Sequence, residues 1–389
     1  MNEGRTVFSQ LMDWFPLAEF RRLVREHRGD YRVRRLSCLD QFYIMAFAQL
    51  SYRESLRDIE TFLRAAPTKP YHLGIRARIS RSTLADANEK RDSEIYAKLA
   101  AILIARAKRA YAGETTLQNL KHAVYAFDSS VIDLSLKLFP WGHFKKHCSG
   151  VKLHTLLNVV THIPSFVRIT LAKVADMTLL DELPLEPGAV YVVDRGYLDY
   201  ERLRRIDQAG AFFVTRTRKR FRFRRLRSHA LNEQPGVRSD QTVRLVNPVP
   251  RSKYPDSLRR IRYVDPETGK KLTFITNNFN WPALIVAGMY KSRWSVELFF
   301  KWIKQHLRLK AFFGTSLNAV KTQVWIALSV YLLLALMKKD LNLPHSLHTI
   351  AQLLSLSLFQ KLPLPQLFTE TTGNSETPEI CNSLPLFDF

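Results

Sequence analysis

The chain has 389 residues, 46% of them hydrophobic, which is enough for ordinary globular cores in two or three domains. Its 59 Lys and Arg against 35 Asp and Glu give a formal charge of +24 and a pI near 10.1, so the expected partner is a polyanion, nucleic acid first. Three scattered cysteines, Cys38, Cys148 and Cys381, exclude a disulfide framework.

Residues 1 to about 118 read as a helical domain. Amphipathic stretches include Leu39 to Phe47 and a long helix from Thr83 to Ala112, for which Ser82 is a candidate cap. Arginines crowd this region, among them Arg21, Arg22, Arg25, Arg28, Arg32, Arg34 and Arg35, and a DNA-gripping role is expected.

From about Ala123 the pattern turns to short β-branched and aromatic runs: His122 to Phe127, Lys152 to Val160, Phe166 to Ala172 and Ala189 to Val193. Two of these runs stop on an aspartate, Asp128 and Asp194. Each aspartate alone suits a turn or a helix cap. A helix from Asp199 to Gln208 and a strand from Ala211 to Thr215 follow.

About 100 residues separate Asp194 from Glu297, more than one helix and one strand require, so an insertion is expected at about 212–280. Its strand-like pieces are Arg216 to Arg227, Thr242 to Val249, Arg259 to Val264 and Lys271 to Thr276, with Pro266 to Gly269 as a turn. Residues 201 to 260 hold 17 Lys and Arg against 5 Asp and Glu, half the net charge of the chain, which points this insertion at nucleic acid. The run from Arg216 to Arg227, with Phe221 and Phe223 between its cations, is either an exposed, charge-protected strand or a DNA contact.

Tyr290, Arg293, Glu297 and Lys304 are spaced to fall within an arc of about 60° on one helix. Trp294, Val296, Leu298, Phe299, Phe300, Trp302, Ile303 and Leu307 surround that stripe, so the helix is expected to be buried with its charges facing a site. Three carboxylates meeting there, at about 4 Å, would repel pairwise by about 4 kcal/mol at an effective dielectric of 20, so bound cations are required. Hard oxygen ligands select Mg²⁺ or Mn²⁺, and two such ions suit in-line displacement at a phosphodiester. His143, His147, Cys148 and His154 are an alternative zinc set, weighed against basic residues near a DNA channel.

The last long apolar run, Val324 to Met337, is 14 residues, shorter than the roughly 20 needed to cross a bilayer, and reads as a core helix. Ser346 to Gln360 suggests one short helix, and the Pro-, Thr- and Ser-rich remainder a loosely packed tail, together a 346–389 segment. The first residues lack the basic and apolar regions of a secretion signal, so a reducing cytoplasm is expected. No nucleotide cofactor is expected, since neither a phosphate-binding glycine loop nor a dinucleotide fingerprint occurs.

The segment Tyr290-x2-Arg293-x3-Glu297-x6-Lys304 resembles the Y-R-E-K signature of bacterial insertion-sequence transposases of the insertion-sequence-four family. Asp194-Arg195-Gly196-Tyr197 resembles that family's second catalytic block, Phe127-Asp128-Ser129-Ser130 its first, and Phe313 to Val320 the segment after its glutamate. The stretch from Phe8 to about Arg64 is similar to the helical region before such catalytic domains, and the likeness runs to about residue 345.

The resemblance implies an α/β fold: a mixed-sheet RNase H-like core at 119–345, a mainly β insertion before the third carboxylate and an all-helical domain ahead of it. It implies that Asp128, Asp194 and Glu297 are a metal-binding DDE triad that cuts terminal inverted repeats and joins them to target DNA with Mg²⁺ or Mn²⁺. Expected DNA contacts are Tyr290, Arg293, Lys301 and Lys304, with Arg195, Arg218, Lys219 and Arg222. A homodimer acting on double-stranded DNA in the bacterial cytoplasm, on the nucleoid, is implied, often through a hairpin intermediate. No Trp occurs in residues 201 to 280, so stacking on a flipped base would fall to Phe212, Phe213, Phe221, Phe223, Tyr254, Tyr263 or Trp281. A stand-alone nuclease and a non-catalytic DNA-binding repressor are the rival readings.

Overall fold

The computed structural model describes residues 4–65, 75, 79–114, 122–218, 221–231, 235–307, 309 and 311–369. Its helical part comprises α1 (Val7–Leu11), α2 (Leu17–Glu26), α3 (Cys38–Leu50), α4 (Leu56–Ala65), α5 (Arg81–Lys90) and α6 (Glu94–Ala110). α3 starts where Ser37 and Asp40 form a reciprocal capping box, and it is buried nearly all round because apolar side chains occupy every face. The single helix expected from Thr83 to Ala112 is two helices, and its cap is Ser80, whose hydroxyl accepts from the Thr83 amide at 3.3 Å. The break follows from tertiary bonding: Arg91 has extended backbone, and its buried guanidinium donates to Ser37 O at 3.0 Å and Gln41 Oε1 at 2.7 Å, and to Leu36 O.

The strands are β1 (Val124–Leu134), β2 (His143–Lys145), β3 (Cys148–Asn158), β4 (Pro164–Leu171), β5 (Val190–Val193), β6 (Phe212–Arg216), β7 (Phe223–Ser228), β8 (Val237–Leu245), β9 (Leu258–Val264) and β10 (Lys271–Thr276). β1, β3 and β4 form an antiparallel meander, and β5 then β6 add parallel to β1, with α7 (Tyr200–Gln208) as the crossover. This order, β4-β3-β1-β5-β6, is the RNase H-like core. β6 therefore belongs to the core, and the inserted strands begin only after Arg216, not at 212. They also extend the same sheet, because β10 pairs with β6 and is followed by β9, β8 and β7. A short helix, α8 (Pro248–Lys253), which periodicity did not reveal, interrupts them.

Gly236, at the entry to β8, has φ +80°, and a Cβ there would lie 2.4 Å from the Val264 carbonyl oxygen, so the tight β8–β9 crossing requires glycine. Gly269, at φ +68°, closes the expected turn by donating to Asp265 O at 2.8 Å.

After the sheet come α9 (Ala283–Ser292), α10 (Trp294–His306), α11 (Leu317–Asp340), α12 (Leu347–Ser357) and α13 (Leu364–Thr369). α11 is longer than its apolar run, and by length and composition it could cross a membrane. Its apolar stretch is instead 94% buried, packed on α6, α3 and α5.

Candidate active site

Asp128 and Asp194 occupy equivalent places where the parallel pairing of β1 with β5 runs out. The β1–β5 pairing ends at Phe127 and Val193, and each aspartate is the next residue. Such ends are where α/β sheets present ligands. Asp128 does not terminate its strand: β1 continues to Leu134 because it stays paired with β3, Asp128 facing Thr155. Asp194 does end β5 and caps a single 3₁₀ turn, accepting from the Gly196 amide at 3.3 Å.

The expected single stripe is carried by two helices. Tyr290 lies on α9, Glu297 and Lys304 on α10, and Arg293 is the one residue between them. At that joint Arg293 N bonds Tyr290 O and Val296 N bonds Arg293 O, a tightened turn that keeps the four side chains on one side. Nor is α10 buried all round, since Trp294 and Leu298 are each 41% exposed.

Arg293 joins two of the carboxylates. Its Nη1 lies 3.0 Å from Asp128 Oδ2 and its Nη2 2.6 Å from Glu297 Oε1, although 165 positions separate Arg293 from Asp128. Tyr290 Oη donates to Asp194 Oδ1 at 2.8 Å, and the Arg293 and Arg216 guanidinium carbons each lie 5.9 Å from the Tyr290 ring centre. Asp128 Oδ1 accepts from the Ser129 amide at 2.8 Å and from Tyr197 Oη at 3.2 Å. The three carboxylates are therefore linked through Arg293 and Tyr290 rather than meeting directly. Among the described residues no group of three or more His, Cys, Asp and Glu side chains is gathered as a metal-holding cluster. The guanidinium explains how Asp128 and Glu297 lie so near: a fixed cation offsets their repulsion.

Burial pushes the Asp128 carboxyl above its ordinary range, with the Arg293 guanidinium opposing it. Burial acts likewise on Asp194, but the Tyr290 hydroxyl and the Arg195 and Gly196 amides outweigh it and hold that group below its ordinary range. For Arg293, burial works against the charge, yet Tyr290, Asp128 and Glu297 together keep it above its ordinary value.

An open groove runs along α10 beside Asp128 and Glu297, lined by Ser129, Ser130, Phe300, Lys301, Lys304 and Gln305. Lys301 is exposed on it, whereas Lys304 donates to the Val131 carbonyl at 2.6 Å, and burial lowers its pKa. Arg195 and Arg222 are exposed, and Arg218 donates to Leu198 O at 3.2 Å. Lys219 lies outside the described residues. Of the aromatics considered for base stacking, Phe213 and Tyr254 are fully buried and Trp281 is 7% exposed, packed against Phe212. Phe221 and Phe223, stacked at 5.4 Å, remain half-buried. His154 is sealed in the sheet, its Nε2 2.8 Å from Thr170 Oγ1, while His143, His147 and Cys148 are exposed, so these four do not form one site. Tyr197 and Arg216 gain site contacts that spacing alone did not assign. Their signals were present, a tyrosine three residues past Asp194 and an arginine ending a core strand.

Residues 119–333 match the family described as "Transposase DDE domain", and residues 3–76 match a domain of unknown function, DUF4372. A Sinorhizobium fredii protein named as a transposase, y4zB, is 34% identical over 255 residues, covering 64% of this chain and 69% of that protein. A Geobacillus stearothermophilus protein named as a transposase for insertion sequence element IS5377 is 27% identical over 312 residues, covering 79% of this chain and 78% of that protein. A cryo-EM structure of a piggyBac transposase synaptic complex with hairpin DNA aligns at TM-score 0.46 and 10% identity, over 95% of this chain and 82% of that one.

The matched domain makes this chain an enzyme of DNA transposition. The chain belongs to the DDE transposase family, of the insertion-sequence type, and acts on DNA. Domains of this family depend on divalent metal.

Proposed function

We propose that Asp128, Asp194 and Glu297 are the catalytic and metal-holding triad of a cut-and-paste reaction at the inverted repeats of an insertion sequence. The observation that carries this is the Arg293 bridge between Asp128 and Glu297, with Tyr290 on Asp194 beside it. An all-carboxylate donor set fits a hard ion, Mg²⁺ or Mn²⁺, better than zinc. Bound there, two such ions supply Lewis-acid stabilisation of the attacking and leaving oxygens.

The chain's own residues prepare that centre. Tyr290 and the Gly196 amide orient Asp194, and Tyr197 and the Ser129 amide orient Asp128. The Arg293 fork, held by Asp128 and Glu297, sets the spacing of those two carboxylates rather than facing a phosphate, and Lys301 and Lys304 extend positive charge along the groove. Arg195, Arg218, Lys219 and Arg222 add charge for the flanking duplex. We further propose that residues 1–118 form a DNA-binding domain and that two copies pair the element's ends on the bacterial nucleoid.

The deciding experiment incubates the protein with its own element ends and Mn²⁺, then resolves products on a denaturing gel. Nicks together with joined strands are expected. Released fragments without joining from precut ends point to a nuclease, and no metal-dependent cleavage to a repressor.

The Asp128 shift gives a pH prediction. The working form is the carboxylate, and the Tyr197 hydroxyl stabilises it, so Tyr197→Phe raises the Asp128 pKa further. The acid limb of the cleavage profile is expected to move to higher pH. An unmoved limb with a uniformly lower rate would show Tyr197 to be structural only.

A further inference from the structure

The imidazoles of His306 and His348 meet where the end of α10 packs on the start of α12, with 4.3 Å between ring centres and planes inclined by 43°. Local structure fixes both rings. His306 ends α10 and lies against Trp302 one turn earlier, 5.4 Å between ring centres, and Trp302 packs in turn on Tyr331 of α11 at 5.0 Å. His348 stands in the first turn of α12, which is set by the Ser346 hydroxyl accepting from the Thr349 amide at 3.1 Å.

Neither imidazole forms a hydrogen bond or an ion pair among the described residues, although each ring carries two nitrogens that can bond. Two protonated rings at this distance would repel. Burial, and after it the neighbouring His348, lowers the pKa of His306, which favours the neutral imidazole, the form that binds metal. The pair opens on a cavity of about 580 Å³ whose wall includes Tyr52, Gln305, Gln352 and Ser355. Among the described residues, no Lys, Arg, Asp or Glu lines it.

That wall decides which ligand fits. In a chain of formal charge +24, a cation entering here meets no cationic side chain in the lining, and without a carboxylate nothing selects Mg²⁺. Imidazole nitrogens suit Zn²⁺, Ni²⁺ or Cu²⁺. Metal–nitrogen bonds of about 2.0–2.1 Å, at angles from square to tetrahedral, set the centres of two chelating rings roughly 4.5–5 Å apart. The observed spacing is already close to this, so little movement is needed to chelate.

We infer that His306 and His348 form a two-histidine site for a borderline transition ion such as Zn²⁺, separate from the carboxylate centre, with water in the remaining positions. The cavity's amide and hydroxyl side chains hydrogen-bond that water. An ion there staples the end of α10, the helix of Glu297 and Lys304, to α12. Gln305 lines both this cavity and the catalytic groove, so the staple lies beside the groove without using its residues.

The test titrates the untagged full chain with Zn²⁺ by calorimetry, in excess Mg²⁺ to occupy the carboxylates. One Zn²⁺ per chain is expected at this site, and His306→Gln or His348→Gln is expected to weaken it at least roughly tenfold, since loss of even an outer-shell partner costs that much. His348 is exposed, so its replacement spares the core, and circular dichroism checks the fold of each variant. Cu²⁺ is expected to give a saturable quench of tryptophan emission that is lost in Trp302→Phe and in both histidine variants, because Trp302 adjoins His306. Equal Zn²⁺ affinity in the wild-type chain and both histidine variants overturns the proposal. So does Zn²⁺ binding that disappears in Asp128→Asn alone, which would place the ion at the carboxylates.

Discussion

Asp128→Asn, Asp194→Asn and Glu297→Gln are each expected to reduce end cleavage by at least roughly 10³-fold while leaving duplex affinity within a few fold. The substitutions keep side-chain shape, so an amide oxygen at position 128 still accepts from the Ser129 amide and Tyr197, and one at position 297 still accepts from Arg293. What they remove is negative charge at the proposed metal-holding centre, and electrostatic stabilisation of a phosphoryl displacement is the largest contribution such a site makes. Binding survives because the cations that would grip DNA, on the groove and on the arginine-rich surfaces, are untouched. Denaturing gels for cleavage beside filter binding for affinity separate the two effects. Cleavage retained by all three variants would reject the assignment of the triad. Loss of binding in step with cleavage would instead mean that the carboxylates are structural.

Asp240→Ala is expected to destabilise the fold by about 3–5 kcal/mol. Arg259 and Asp240 are 5% and 7% exposed and meet through two bonds, Nε to Oδ1 at 2.9 Å and Nη2 to Oδ2 at 2.5 Å. Arg259 Nη1 also donates to Trp281 O at 2.5 Å and to Asn278 O at 3.4 Å. The pair thus ties β8 and β9 to the loop that leads into α9, the helix carrying Tyr290. Removing the aspartate leaves an arginine buried without its counter-ion, which costs more than the pair contributes. Thermal unfolding should report a clear fall in Tm. The double variant Asp240→Leu, Arg259→Met should recover much of the loss, since no charge is then stranded. An unaltered melting curve in the single variant would show that Arg259 finds other partners. A double variant as unstable as the single one would place the cost in packing.

How much of this was legible beforehand follows from the range of each interaction. Strand and helix patterns depend on neighbours two to four residues apart, so the β runs near Asp128 and Asp194, the crossover helix α7 capped by Asp199, and the core character of α11 could be read from residue order. The excess of arginine and the ordered Tyr290, Arg293, Glu297, Lys304 spacing likewise belong to the chain itself.

The remainder depended on residues far apart in the chain. Whether β1 ends at Asp128 is decided by β3, which continues the pairing, and whether β6 is core or insertion is decided by its parallel partner β5. The interruption after α5 belongs to Arg91 reaching carbonyls more than 50 positions away. Lys304 is fixed by the carbonyl of Val131, and the exclusion of Phe213, Tyr254 and Trp281 from any stacking role follows from burial in the finished core.

Local composition determined which segments would be strand, helix or cationic surface, because those preferences arise within a turn or a pleat. Only tertiary structure decided that Arg293 lies between Asp128 and Glu297, because that contact exists once a helix joint, a strand end and a sheet register coincide.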